Sequence, residues 1–370
     1  MFSVEEKMQQ KLAKRQQAGL MRVLPPPMPG RIDFCSNDYL GLAQELVYPA
    51  SPIAGATGSR LISGNTEEAE ALEQLVADFH RAEAALLFPS GYSANIGLLP
   101  AISDRHDTIV YDKLLHASLR DGIGLSQAKA YSFAHNDLED LERKLERATG
   151  AKWVVVESVY SMDGDQAPLA EMANICQAYQ AHLIVDEAHG TGVVGKKGEG
   201  LVAALDLEDQ VWARIHTFGK AIGSHGAVVL GSQLLKNYLI NFARSFIYTT
   251  ALPPATVAHI TEAYKTLQTS NFVDQLHERV AYFLQNCPPG IRDRLISSTT
   301  PIQAVLCPGN EAVQQLAKHL QEQKMAILPI RYPTVPKGQE RIRICLHTFN
   351  TNEEIDQLLA CLDNYFGDLQ

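Results

Sequence analysis

The sequence predicts an α/β protein: a mostly parallel, seven-stranded sheet covered by helices, followed by a smaller α+β C-terminal unit. Three observations carry this. Short apolar runs alternate with helical or loop stretches from residue 84 to residue 231, the pattern of βα units that stack parallel strands. The runs at 153–156 and 183–185 are apolar at every position, as strands covered on both faces must be. TTALPP near residue 250 then interrupts the alternation, and the strands beyond it form a separate set. The expected organisation is an N-terminal helix and arm over 1–45, a large domain over 46–265 and a small C-terminal domain over 266–370.

Taken in order, MFSVEEKMQQKLAKRQQAGL reads as a polar helix, and PPPMPG at 25–30 ends it because proline lacks the amide hydrogen that a helix interior needs. A second helix starts after Asn65, expected to cap it with Glu68 reaching back. Ala69, Leu72, Leu75, Val76 and Phe79 fall on one face. The seven strands are AALLF (84–88), TIVYD (108–112), KAYSF (129–133), WVVVESV (153–159), HLIVDEA (182–188), RIHTFGK (214–220) and AVVLG (227–231). Between them DLEDLERKLERA is helical, with Glu139 and Arg143 spaced for an i,i+4 pair. The second unit has strands at 302–306, 325–330 and 341–346 and closes on a helix at 352–365.

Composition narrows the function. The chain has 370 residues, 46% hydrophobic and 20% charged, ordinary for a globular protein. A net charge of −10 with scattered Lys and Arg argues against nucleic acid as the main partner. No run of about 18 apolar residues predicts a membrane span, and the N-terminus lacks the apolar core of a secretion signal. Cysteines at 35, 176, 287, 307, 345 and 361 form no CxxC pair and no metal-spaced cluster. Reduced thiols in the cytoplasm, with no metal site, are the expectation.

LIVDEAHGTGVVG at 183–195 contains a literal GxGxxG, running Gly190 to Gly195. A dinucleotide fingerprint needs its first glycine at a strand tip and its last inside a helix, with an acidic strand end about 20 residues on. Here the strand ends before the glycines, KKGEG follows them, and that acidic residue is missing. The glycines read instead as a mobile loop beside a site. Asp186 and His189 stand at the carboxyl end of a central strand, where open α/β sheets bind ligands. A surface aspartate and a capping histidine are the bland alternative. TFGKAIG at 217–223 weighs against it: Lys220 ends another apolar strand between glycines, suited to binding phosphate or to forming an imine.

With those three residues in place, the chain resembles the fold-type I enzymes that use pyridoxal phosphate, and within them the α-oxoamine synthases. SNDYLGL (36–42), TGSRLISGN (57–65), PSGYSANIG (89–97), DKLLHASL (112–119), FAHND (133–137), SMDGDQAPL (161–169), VDEAHGTGVVG (185–195), TFGK (217–220), IYTTALPP (247–254) and IRYPTVPKGQERIRI (330–344) carry the resemblance in the family's order. It implies that Lys220 binds the cofactor covalently, that Asp186 pairs with the ring nitrogen, and that His189 and Ser161 lie near the phenolic oxygen. His116 would stack on the ring. The amides of Gly91 and Tyr92 and the hydroxyl of Thr217 would hold the phosphate, with Thr249 or Thr250 supplied by the partner subunit of a homodimer. His135 is expected to be structural.

The family condenses an amino acid with an acyl thioester, with loss of carbon dioxide in most members. The resemblance assigns the amino acid's carboxylate to Arg343 and the thioester or acyl carboxylate to Arg22, and it places Arg331 and Asn37 among the substrate-binding residues. It favours L-alanine with pimeloyl-CoA, or the pimeloyl carrier-protein thioester, giving 8-amino-7-oxononanoate for biotin synthesis. The alternative is a glycine- or serine-using member of the 2-amino-3-ketobutyrate CoA ligase or 5-aminolevulinate synthase type. Ala69 stands where the family usually has a histidine, Tyr332 replaces a proline, and the loop before TGSRLISGN is short.

Overall fold

Alternate residues of single strands build the two faces of the larger unit. The computed structural model describes residues 3–46 and 53–367. Its seven-stranded sheet comprises β1 (Ala84–Phe88), β2 (Thr108–Asp112), β3 (Lys129–Phe133), β4 (Lys152–Glu157), β5 (Ala181–Asp186), β6 (Val211–Thr217) and β7 (Ala227–Gly231). The order is β3-β2-β4-β5-β6-β7-β1, with β7 antiparallel to both neighbours and every other pair parallel. Trp153 and Val155 of β4 join Ile184 in one hydrophobic cluster, while Val154 and Val156 join Leu183 and Val185 in another. That is why VVV runs unbroken: a side chain of this size buried on either face contributes about 1.5–3 kcal/mol. At the sheet's edge, β3 exposes Lys129, Ala130, Tyr131 and Ser132, a short margin whose lysine discourages further pairing.

Most of the helices that flank the strands start at a residue whose side chain takes a first-turn amide. In chain order they are α1 (Val4–Gln17), α2 (Glu67–Phe79), α3 (Gly91–Ile102), α4 (Ala117–Leu125), α5 (Leu138–Glu146), α6 (Leu169–Ala178), α7 (Gln233–Phe242), α8 (Pro254–Thr269) and α9 (Phe272–Asn286). The α2 cap is Thr66 rather than Asn65: Thr66 Oγ1 accepts from Ala69 N at 3.2 Å, while Asn65 bridges Arg60 and Glu70. Its inner face includes Glu73 with Leu72 and Val76, and Leu75 and Phe79 are only half-buried. Glu73 is tolerated there because Arg60 and Lys236 each lie 2.8 Å from it. On α5, Arg143 pairs with Asp140 at 2.6 Å, not with Glu139. Asp140 is the buried carboxylate, fixed by the Ala134 amide, whereas Glu139 points to solvent.

Cα packing separates two units. The larger is built on Asn37–Glu278 with His347–Phe349. The smaller combines the chain up to Ser36 with Arg279–Leu346 and the chain from Asn350, so the division falls inside α9 and the N-terminal arm is grouped with the C-terminal part. The smaller unit holds β8 (Ile302–Leu306), α10 (Asn310–Glu322), β9 (Pro329–Ile330), β10 (Arg341–Cys345) and α11 (Asn352–Gly367). Its sheet runs β9-β10-β8, all antiparallel. The expected strand at 325–330 divides in two: Met325–Ala326 pairs in parallel with Ile32–Asp33, and Pro329, lacking an N–H, opens β9. Phe34 is buried among Phe283, Ile344 and Leu358 in that unit's core. Part of the short loop before TGSRLISGN, residues 47–52, lies outside the described residues.

Candidate active site

The carboxyl ends of β4, β5 and β6 converge on a cleft of about 760 Å³, open solvent included, a size suited to a cofactor-sized ligand. Asp186 ends β5 and is 4% exposed. Its Oδ1 accepts from Ala188 N at 2.9 Å and its Oδ2 from Asn95 Nδ2 at 3.0 Å. Beside it on β4, Glu157 is the register partner of Asp186 and accepts from the His116 amide. Burial first, and the Asp186 charge second, push the Glu157 carboxyl well above the usual range.

His116 fills two roles. It caps α4, its Nδ1 accepting from Ser118 N at 3.2 Å, and it also lines the cleft. Burial lowers its pKa, Asp186 opposes that, and the Lys220 charge adds to the lowering, so the ring is held neutral. His189 meets the Tyr39 hydroxyl at 2.9 Å, and that hydroxyl donates to Asn37 Oδ1 at 3.1 Å.

Lys220 lines the same cleft but does not end a strand. β6 stops at Thr217, and Lys220 lies in the turn beyond it, where Gly223 N donates to Lys220 O at 2.8 Å. Gly223, at φ +66°, makes that turn possible: its Cα is backed by Leu42 and Ala43 so closely that no side chain fits. Thr217 faces the start of α3, where a Cβ on Gly91 would come within 2.6 Å of Thr217 Cγ2. The first-turn amides of Gly91 and Tyr92 have no intrahelical acceptor, while Ser90 Oγ takes Ser93 N at 3.1 Å. An anion-binding helix start, a hydroxyl, an amine and a buried carboxylate thus share one cleft. This donor set fits pyridoxal phosphate, whose phosphate, carbonyl carbon and basic ring nitrogen need those three kinds of partner.

The cleft therefore brings together Asn37, Gly91, Tyr92, His116, Asp186, His189, Thr217 and Lys220. Ser161 is not among its walls: β4 ends at Glu157, and Ser161 sits in the half-buried turn that follows. Thr249 and Thr250 line a separate small hollow with Arg60 and Ala69. Arg22, Arg331 and Arg343 belong to the smaller unit, where Arg22 is exposed and Arg343 Nη1 lies 3.0 Å from Cys345 Sγ. His135 has a structural environment, bonded to Asp112 at 3.0 Å and Asp165 at 2.7 Å. Sequence reasoning missed Asn95, Ser118 and Glu157. The signals were a polar residue inside the small, apolar helix GYSANIGLL and a lone carboxylate directly after the apolar run WVVV.

The GxGxxG loop is packed rather than mobile. Glu187 is fully buried and accepts from Ser158 Oγ at 2.5 Å, Leu201 N at 3.1 Å and Val202 N at 2.7 Å. A Cβ on Gly190 would overlap Glu187 Oε2, and one on Gly192 would come within 2.5 Å of Ala221 Cβ. Gly190 lets the chain wrap that carboxylate and Gly192 lets it pass Ala221; these are packing roles, not nucleotide binding.

A model of the aminotransferase class I and II family matches residues 29–362. The 8-amino-7-oxononanoate synthase of Marinobacter nauticus is 40% identical over 374 residues, covering 95% of this chain and 94% of that protein. Among solved structures, 8-amino-7-oxononanoate synthase from Francisella tularensis superposes with a TM-score of 0.78 at 31% identity, covering 91% of this chain and 98% of that one. Serine palmitoyltransferase from S. paucimobilis, with a bound PLP–myriocin aldimine, gives 0.86 at 27% identity over 98% of each chain.

Proposed function

This chain belongs to the aminotransferase class I and II family, and we propose that it is a pyridoxal-phosphate-dependent acyltransferase that condenses L-alanine with a pimeloyl thioester to form 8-amino-7-oxononanoate. The observation that carries this is the joining of Lys220, Asp186 and His116 on one cleft with the anion cradle at the start of α3. Relatives that are 40% identical over nearly the whole chain bear the name of that synthase, which favours alanine over the glycine or serine alternative. Biotin synthesis is the corresponding pathway. The free cysteines fit the cytoplasm, and no helix among the described residues is long and apolar enough to cross a membrane.

Bound there, pyridoxal phosphate would supply an electron sink for negative charge at the amino acid's α-carbon. Lys220 would hold it covalently, the Gly91 and Tyr92 amides and Thr217 would hold its phosphate, and His189 would lie by its phenolic oxygen. Asp186, nearly buried, would keep a proton on the ring nitrogen, because a carboxylate in that position favours its cationic partner. The neutral His116 ring would lie against the cofactor without adding charge. Lys220 Nζ, freed when the amino acid binds, would remove the α-proton and later return one. Arg343 would fix the plane of the amino acid's carboxylate through its two-pronged guanidinium, and Arg22, Arg331 and Asn37 would serve the substrate. Thr249 or Thr250, which share a hollow of their own, would complete the partner's phosphate site in a homodimer.

The test is release of CoA and carbon dioxide when the loaded protein meets pimeloyl-CoA with alanine, glycine or serine in turn. Alanine should give the fastest release. Turnover with glycine or serine alone would transfer the protein to another branch of the family.

A further inference from the structure

One amide joins the two groups on which this reading depends. Asn95 lies on α3, one turn beyond the anion cradle, and is 2% exposed. Its Nδ2 donates to Asp186 Oδ2 at 3.0 Å and to Ser118 Oγ at 2.9 Å. With its oxygen accepting from Asn95, Ser118 Oγ is left to donate its own hydrogen, and His116 Nδ1 lies 2.8 Å away. The Ser118 amide donates to that same nitrogen. His116 Nδ1 is therefore the unprotonated nitrogen, and the ring's hydrogen sits on Nε2. The amide cannot be reversed, since its oxygen would then face a carboxylate. Asn95 Oδ1, buried, has no hydrogen-bond partner among the described residues, so both useful contacts come from the one NH₂ group.

From this geometry we infer that Asn95 is a positioning residue: through its two hydrogens it locks the Asp186 carboxylate and, by way of Ser118, the His116 ring into one unit with the helix that starts at the anion cradle. The inference rests on the proposed pyridoxal-phosphate chemistry. A carboxylate that loses a donor becomes more basic. In Asn95→Leu, which roughly preserves volume, Asp186 should draw the ring proton toward itself and weaken the cofactor's electron withdrawal.

Three readouts separate this role from plain packing. In Asn95→Leu the bound cofactor's absorbance titration should move up by about one pH unit. Its kcat should fall by about 10- to 100-fold, the size seen when the partners of metal-binding ligands are removed, while KM for alanine changes by less than about threefold. Ser118→Ala cuts only the arm to His116: it should shift the His116 ring nitrogens in a ¹⁵N spectrum and leave the absorbance titration at its wild-type midpoint. A folded Asn95→Leu protein with a wild-type titration and kcat would overturn the inference. Where that variant does not fold, a wild-type spectrum showing His116 protonated on Nδ1 would overturn it instead. Wild-type protein that takes up no pyridoxal phosphate would defeat the functional reading itself, and the His116 nitrogens report on Asn95 even then.

Discussion

Asp186 and Glu187 are consecutive carboxylates at the end of one strand, and they lead opposite lives. Asp186 opens on the cleft with two donors, from Asn95 and Ala188, and keeps lone pairs for a ligand. Glu187 turns away and spends its oxygens on Ser158, Leu201 and Val202, closing the loop that carries the glycines. The same functional group serves as chemistry on one side of the backbone and as architecture on the other. What distinguishes them is how much of the hydrogen-bonding capacity the protein itself consumes.

That contrast can be broken from either side. The largest effect should come from Asp186→Asn, which would remove the charge proposed to hold the ring proton: kcat/KM should fall by about 10²–10³-fold, while urea unfolding of the cofactor-free protein changes by less than about 1 kcal/mol. A large stability loss with turnover intact would put Asp186 in the architectural class. Glu187→Ala should behave in reverse, costing about 3 kcal/mol in the same urea experiment because three donors lose their acceptor. Gly190→Ala sharpens the point more gently, since its methyl group must displace Glu187; about 1–3 kcal/mol is expected, with the cofactor still bound.

The smallest effect concerns a histidine pair with the same division of labour. His116 is neutral at the cleft, whereas His135 lies between two carboxylates. Burial acts to lower the His135 pKa, but the bonds to Asp112 and Asp165 outweigh it and raise the value from 6.5 to about 9. The folded state thus holds a proton that the unfolded state releases. Its stabilisation is complete below pH 6.5 and is lost as pH rises through about 9, roughly 1–2 kcal/mol after solvent screening. Urea midpoints across that interval should decline in the wild type and flatten in His135→Gln. Parallel declines in both would remove His135 from the account.

Much of the larger unit was legible because its strands advertise themselves: Val154, Val155 and Val156 must be apolar on both faces to be covered on both faces. Asp186, His189 and Lys220 could be found from their places near strand ends. The limits were local. Strand β6 stops three residues before Lys220 because the turn around Gly223 leaves the sheet, a tertiary fit that periodicity does not reveal. The glycines of 190–195 read as freedom, since only the fold shows Glu187 inside them. Asn95 and Ser118 lie inside PSGYSANIG and DKLLHASL, but nothing in those strings singles them out from their neighbours; their importance arises when α3 and α4 meet over the sheet. Arg143 chose Asp140 over Glu139 because burial, not spacing, selects the partner.

The central claim is that one small aromatic cofactor is bound at Lys220 with its ring nitrogen at Asp186. It is tested most directly by adding pyridoxal phosphate to the wild type, Lys220→Ala and Asp186→Asn and recording their spectra before and after borohydride reduction. The wild type should show a band near about 420 nm that reduction abolishes, leaving the cofactor fixed on the peptide that contains Lys220. Lys220→Ala should show no such fixation, and Asp186→Asn should keep the link with an altered band. Cofactor fixed to any other lysine, or a Lys220→Ala protein indistinguishable from the wild type, would contradict the account.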